Sequence, residues 1–200
     1  MGPVTQVADS PAQADASTRE KILDVALDLF TDQGFDGTSM REIAERLHIS
    51  KPAIYYHFAS KEDILLALHL RLHELVSPAF ARLSDQTMTL ASFGAVLGEL
   101  QDHMLAQRKL FMMHERNQAA TEKLHRTGHG EHHDDVQQRL MAALADPSLV
   151  LSDRVRMACA LGAVLGPLFL VGNAFDDVPS AELGDLVRGA VRDIVSGGSG

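Results

Sequence analysis

Two hundred residues, 46% of them apolar and 22% charged, suffice for one or two small domains with a sizeable core, and this balance excludes disorder over most of the chain. A single cysteine, Cys159, cannot form an internal disulfide. With neither a charged-then-apolar leader nor an unbroken apolar run of about 20 residues, a cytoplasmic protein with no membrane partner is expected. The formal charge of −9 excludes a uniformly basic nucleic-acid binder, so any such partner must be met by a local patch.

Residues 1–16 hold Pro3, Pro11, Asp9 and Asp15 without helical periodicity or a single Lys or Arg, the composition of a disordered arm. A first helix is predicted from Ser17, with Glu20 completing a capping box, to Gly34. Its buried face is Ile22, Val25, Ala26, Leu29 and Phe30. Phe35 plugs the core in the connection that follows. The next stretch, residues 38–61, reads TSMREIAERLHISKPAIYYHFASK and contains two short helices around a tight turn. Thr38 is the expected N-cap of the first, with Ser39 beside it and Glu42 three residues on; Ile43, Ala44 and Leu47 form its apolar stripe. Ser50 heads the second, and Pro52 fits its first turn because a missing amide proton costs nothing there. Ile54 and Phe58, four residues apart, anchor this helix and leave Lys51, Tyr55, Tyr56 and His57 to reach outward. A further helix opens at Ser60, with Lys61 in its first turn, where a phosphate could meet both a helix N-terminus and a cation. Arg41, Arg46, Lys51 and Lys61 against Glu42 and Glu45 give a local net charge of +2, a modest footprint that calls for two copies on one duplex.

This stretch resembles the DNA-binding domain of the TetR family of bacterial transcriptional regulators. The likeness rests on Thr38, Ile43-Ala44, Ile49-Ser50-Lys51, the run Ile54-Tyr55-Tyr56-His57-Phe58, and Ser60-Lys61-Glu62-Asp63-Ile64-Leu65, in order and at the family's spacing. His48 departs from the pattern: it stands in the turn where the family usually has glycine, and must accept a positive φ there. The resemblance implies that Lys51 and Ala53 face base edges, lysine towards guanine acceptors and alanine towards a thymine methyl. It makes Tyr55 and His57 phosphate-gripping positions and lets Tyr56 reach either base or backbone. Thr38, Ser39, Ser50 and Lys61 complete the expected DNA-binding set at the helix starts.

Beyond Ser60 an apolar stripe of Ile64, Leu65, Leu68, Leu72 and Leu75 ends near Pro78. From about Met88 the chain shows only helical periodicity, through Phe93, Val96, Leu97, Leu100 and Met104 to the cluster 110–113. One helix is predicted over 131–145, stopped by Asp146-Pro147. Another is capped by Ser152 and kinked at Pro167, with Ala158, Gly162 and Gly166 forming a smooth strip for close helix approach. A last helix follows Pro179-Ser180 and carries Leu183, Leu186, Val187, Ala190, Val191 and Ile194.

The expected architecture is therefore all-α: an arm over 1–16, a three-helix DNA-binding domain with helix-turn-helix over 17–63, a helical regulatory and dimerisation domain over 64–195, and a flexible tail over 196–200. The resemblance implies a homodimer through the last two helices, a palindromic double-stranded operator, and repression relieved by a small hydrophobic effector of unknown identity. Methionines and phenylalanines supply a soft apolar lining, and the expected pocket residues are Phe93, Leu97, Met104, Phe111, Met112, His114, Leu165 and Phe169. No catalytic group, resident metal or cofactor is expected. Two rivals remain open. The His-rich segment 125–135 could serve a metal-dependent hydrolase, although Gly128 and Gly130 interrupt the helix that would align His125 with His129; a helical protein-interaction module is the other, and it leaves Tyr55, Tyr56, His57 and Lys61 unexplained.

Overall fold

The computed structural model describes residues 11–85, 88–124, 140–167, 174–175 and 177–197, and all its regular structure is helical. The elements are α1 (Pro11–Asp32), α2 (Met40–Arg46), α3 (Lys51–His57), α4 (Lys61–Asp85), α5 (Leu90–Ala106), α6 (Arg108–Arg116), α7 (Gln118–Leu124), α8 (Leu151–Leu165) and α9 (Ser180–Ser196). Residues 140–145 form the helical end of the stretch predicted over 131–145.

Helices α1 to α3 form the small N-terminal unit. Ile22, Ala26 and Phe30 of α1 meet Ile43 of α2, Ile54 of α3 and Ile64 of α4 in a closed core, all of them fully buried. Each of the isoleucines and Phe30 contributes roughly 1.5–3 kcal/mol through removal from water, which fixes α2 and α3 although neither seven-residue helix has the length to persist alone. The core continues along α4 through Leu65 and Leu68 to Phe93, Leu97 and Met104 of α5, then to Val187 and Val191 of α9. Thr89 begins α5 with a reciprocal capping box, its hydroxyl accepting the Ser92 amide while Ser92 accepts from the Thr89 amide.

Several sequence expectations need correction. The first helix starts at Pro11, not Ser17. Glu20 forms no box with Ser17 and instead pairs with Arg71 of α4, so a tertiary partner has displaced the local one. The boundary expected between residues 63 and 64 falls inside the first turn of α4, which runs unbroken from the small unit into the larger one. α4 also continues through Pro78 to Asp85. Pro78 is exposed, so the carbonyl deprived of its amide partner faces water while the neighbouring Val76 and Ala79 hold the helix to the core. The N-cap position of α8 is Val150, without a side-chain bond, and Ser152 lies one residue inside the helix. The last helix includes Ser196 and ends in left-handed Gly197, at φ 81°. Phe169 and the His-rich segment 125–135 lie outside the described residues.

Candidate nucleic-acid interface

The reading head is built from two seven-residue helices and the turn between them. Ser39, not Thr38, is the N-cap of α2: its hydroxyl accepts the Glu42 amide at 3.2 Å. Thr38 points inward, 3% exposed, and its hydroxyl donates to the Gly34 carbonyl at 2.9 Å. The two adjacent hydroxyls are equivalent in sequence; the position of the preceding loop decides between them. Ser50 caps α3 as expected, accepting the Ala53 amide at 3.3 Å, with Pro52 in the first turn. His48 adopts φ 54°, the left-handed turn conformation anticipated where the family prefers glycine.

On α3 the division of faces is clean. Ile54 and Phe58 are buried; Tyr55 is 44% and Tyr56 77% exposed, with Lys51 exposed beside them. The Lys51 ammonium lies 5.8 Å from the Tyr55 ring centre, so the cation rests on an aromatic face that also points outward. Ala53 is half-buried. Part of the predicted set comes together: Thr38, Ser39, Lys51, Tyr55 and Lys61 line one open cleft of about 470 Å³ between the starts of α2 and α4 and the outer face of α3. Ser50, Ala53, Tyr56 and His57 lie outside that cleft.

Three residues differ from their expected role in this conformation. The Lys61 ammonium is not extended towards solvent: it donates to the Phe35 carbonyl at 2.5 Å and the Thr38 carbonyl at 2.7 Å, and lies 4.1 Å from the centre of the Phe35 ring. It is a staple between α4 and the loop before α2. The His57 side chain is only 9% exposed, its ring edge-on to Tyr56 and its Nδ1 3.5 Å from the Asp15 carboxylate. Thr38, as described, has its hydroxyl committed internally. Of the local cations, Arg41 is held by Glu45 at 2.6 Å, and that hydrogen-bonded carboxylate raises the guanidinium pKa above its ordinary value. Arg46 and Lys51 are both exposed.

Sequence reasoning passed over two groups behind the reading head. Asn117, 4% exposed at the α6–α7 junction, bonds to Phe30 and Phe35 of the small unit. His69 and His73 of α4 are buried side by side, rings 4.3 Å apart, and His69 stacks on His114 of α6 at 5.2 Å. The signal for the pair was available: positions 69 and 73 are one turn apart, next to the Leu65-Leu68-Leu72 stripe. Among the described residues no group of three or more His, Cys, Asp or Glu is placed to hold a metal ion. The expected pocket residues Phe93, Leu97 and Met104 are closed core side chains, Phe111 is nearly so, and Leu165 is half-buried. Met112 departs from expectation, lying exposed on the outer side of α6. An apolar groove of about 510 Å³ lies instead between α5 and α9, with Gly94, Gly98, Gln101 and Val195 in its lining.

Two short helices meeting at a tight turn, the second presenting lysine and two tyrosines above a buried isoleucine, define a helix-turn-helix unit of the DNA-reading class. Residues 22–68 match the family model of bacterial regulatory proteins, tetR family. Over 46 residues the chain is 46% identical to IcaR of Staphylococcus aureus, a negative transcriptional regulator of the biofilm operon icaADBC; the match spans 23% of this chain and only about a quarter, 25%, of that relative. At the level of the whole fold, a transcriptional regulator from Aquifex aeolicus superposes with a TM-score of 0.64 at 25% identity, covering 88% of this chain and 99% of the other. SmeT in its complex with triclosan shares the fold at a TM-score of 0.61 and 22% identity, covering 90% and 91%. Residues 22–68 therefore carry the DNA-binding domain of the tetR family of bacterial regulatory proteins, and the helical fold around them is shared with solved transcriptional regulators of that type.

Proposed function

We propose that the chain is a homodimeric repressor that holds a palindromic operator with two copies of α3 and releases it when a small hydrophobic molecule enters the helical body. The exposed set Lys51, Tyr55 and Tyr56 over buried Ile54 carries this reading, because only a surface partner explains two adjacent outward tyrosines on so short a helix. Lys51 and Ala53 would meet base edges, and the cleft lined by Ser39, Lys51 and Tyr55 would take a backbone phosphate. Repression follows the described role of IcaR, and the triclosan complex of SmeT supports a small-molecule effector. Such a repressor acts in the cytoplasm, on double-stranded DNA, without chemistry of its own.

Release needs coupling between body and reading head. α4 provides one route, since it is continuous from Lys61 beside the loop to the histidine-lined joint with α6. An effector that prefers the conformation with misplaced recognition helices by about 1.4–2.7 kcal/mol lowers operator affinity roughly 10- to 100-fold. Selection of bound sites from random duplex DNA tests the reading directly. The expected product is an inverted repeat with half-site centres about 34 Å apart; failure to enrich any duplex, with folded protein, would reject it.

A further inference from the structure

We propose that Asn117 is a positioning residue for DNA binding: a pin by which the α6–α7 junction sets the loop that launches the helix-turn-helix. The inference rests on the DNA-binding reading above and adds a second line of communication, which reaches the same loop from the α6–α7 junction. The Asn117 side chain makes three hydrogen bonds, all inside the protein. Its Nδ2 donates to the Phe30 carbonyl at 3.1 Å and to the Met113 carbonyl at 2.6 Å, and its Oδ1 accepts the Phe35 amide at 2.6 Å. The Phe30 carbonyl belongs to the last turn of α1, where carbonyls lack helical partners, and Phe35 is the first residue after left-handed Gly34. One buried amide therefore grips both sides of the point where α1 turns towards α2.

From there the connections are direct. Phe35, whose amide is held by Asn117, offers its carbonyl to Lys61, which also holds the Thr38 carbonyl. Gln33 donates to the Gly37 carbonyl and the Thr38 hydroxyl, both at 3.3 Å, and to the Glu42 carboxylate of α2 at 2.8 Å. Residues 34–38 are thus fixed from α1, α4 and the α6–α7 junction at once, and α2 starts immediately beyond them. Asn117 itself occupies the break between two helices of the body: its backbone amide closes α6 onto the His114 and Met113 carbonyls, and its carbonyl accepts both the amide and the hydroxyl of Thr121 in α7. A shift of α7 against α6 moves this residue, and the loop must follow or give up its bonds.

The test uses the full chain and a duplex selected with the wild type. Asn117→Ala is expected to bind that duplex about tenfold more weakly per folded dimer, within the range typical of inter-site coupling, with helical content unchanged. Thr121→Val removes a buried hydrogen bond from the same junction but none to the loop; it should lower the melting temperature and leave affinity alone. Combining Asn117→Ala with Lys61→Met should give less than the product of the two separate losses, because both hold the same loop. Asn117→Asp carries the test if the alanine variant does not fold: it keeps the acceptor for Phe35 but turns a carboxylate oxygen towards the Phe30 and Met113 carbonyls, and it too should weaken binding. Wild-type affinity in the Asn117 variants, independent losses in the double variant, or an equal loss in Thr121→Val would each overturn the proposal. A wild type that selects no duplex fails earlier, at the DNA-binding reading itself.

Discussion

Ile54 and Tyr56 stand two positions apart on one helix and face opposite environments, so their replacement should separate folding from binding. Ile54→Ala empties a fully buried site between three helices and is expected to cost about 2–5 kcal/mol of stability in denaturant unfolding. Tyr56→Ala should change stability by less than about 0.5 kcal/mol while weakening duplex binding roughly tenfold or more. Equal affinities in a filter or anisotropy titration would remove Tyr56 from the interface. His48 was legible for a different reason: a non-glycine residue in a tight turn must pay the left-handed cost, and φ 54° shows that it does. His48→Gly is accordingly expected to raise stability by ~0.5–1 kcal/mol, net of glycine's greater freedom in the unfolded chain. Thr38 was not legible. Whether it or Ser39 caps α2 depends on the Gly34 carbonyl and Gln33 amide, which the loop brings in from the other side.

At the level of elements, helices whose periodicity and caps are local are legible from the residues alone, whereas features decided by neighbours are not. Ser50, Pro52 and the Ile54–Phe58 pair marked α3 without any tertiary information, and the structure keeps each in its expected place. Pro78 signalled an end to α4 that packing of Val76 and Ala79 overrides, and Glu20 left its expected cap for Arg71. Lys61 is the instructive case at the candidate site. Its place at the head of α4, next to a DNA-reading helix, suggests a phosphate ligand, yet its ammonium is taken up by two backbone carbonyls and an aromatic face. Lys61→Met should therefore lower stability by about 1.5–3 kcal/mol, the worth of charge-assisted bonds to groups left half-buried. A variant with wild-type unfolding midpoint would show that the staple holds nothing. His69 and His73 show the limit of such a pattern: their one-turn spacing beside the apolar stripe is visible in the sequence, but it does not disclose that the two rings lie side by side or that His114 of α6 stacks on His69.

For the whole molecule, the charge distribution and the outer face of α8 and α9 lead to one conclusion. The outward cations of one reading head are few: Arg41, Arg46 and Lys51 are exposed, Arg41 with Glu45 beside it, while Lys61 is turned inward. So small a footprint on a chain of net charge −9 gives a weak single contact, and the proposed dimer would supply affinity by doubling it. The body offers the surface to do so. Leu151 is 71% exposed, Leu186 65% and Val155 53%, and Ala158 and Gly162 extend the α8 strip at helical spacing with side chains small enough for close approach. Aliphatic exposure on this scale is a cost in water unless a partner covers it, and a two-fold mate would bring identical strips together. Placing a glutamate at both Leu151 and Leu186 should then leave each subunit folded, since neither side chain is in the core, but separate the pair. In sedimentation velocity the wild type is expected at twice the 21.7 kDa chain mass and the double variant at one. Operator affinity should fall about 100-fold or more with the loss of the second reading head. A wild type that sediments as a monomer yet binds the selected inverted repeat tightly would contradict the argument, because a lone head with so few outward cations has no other source for that affinity.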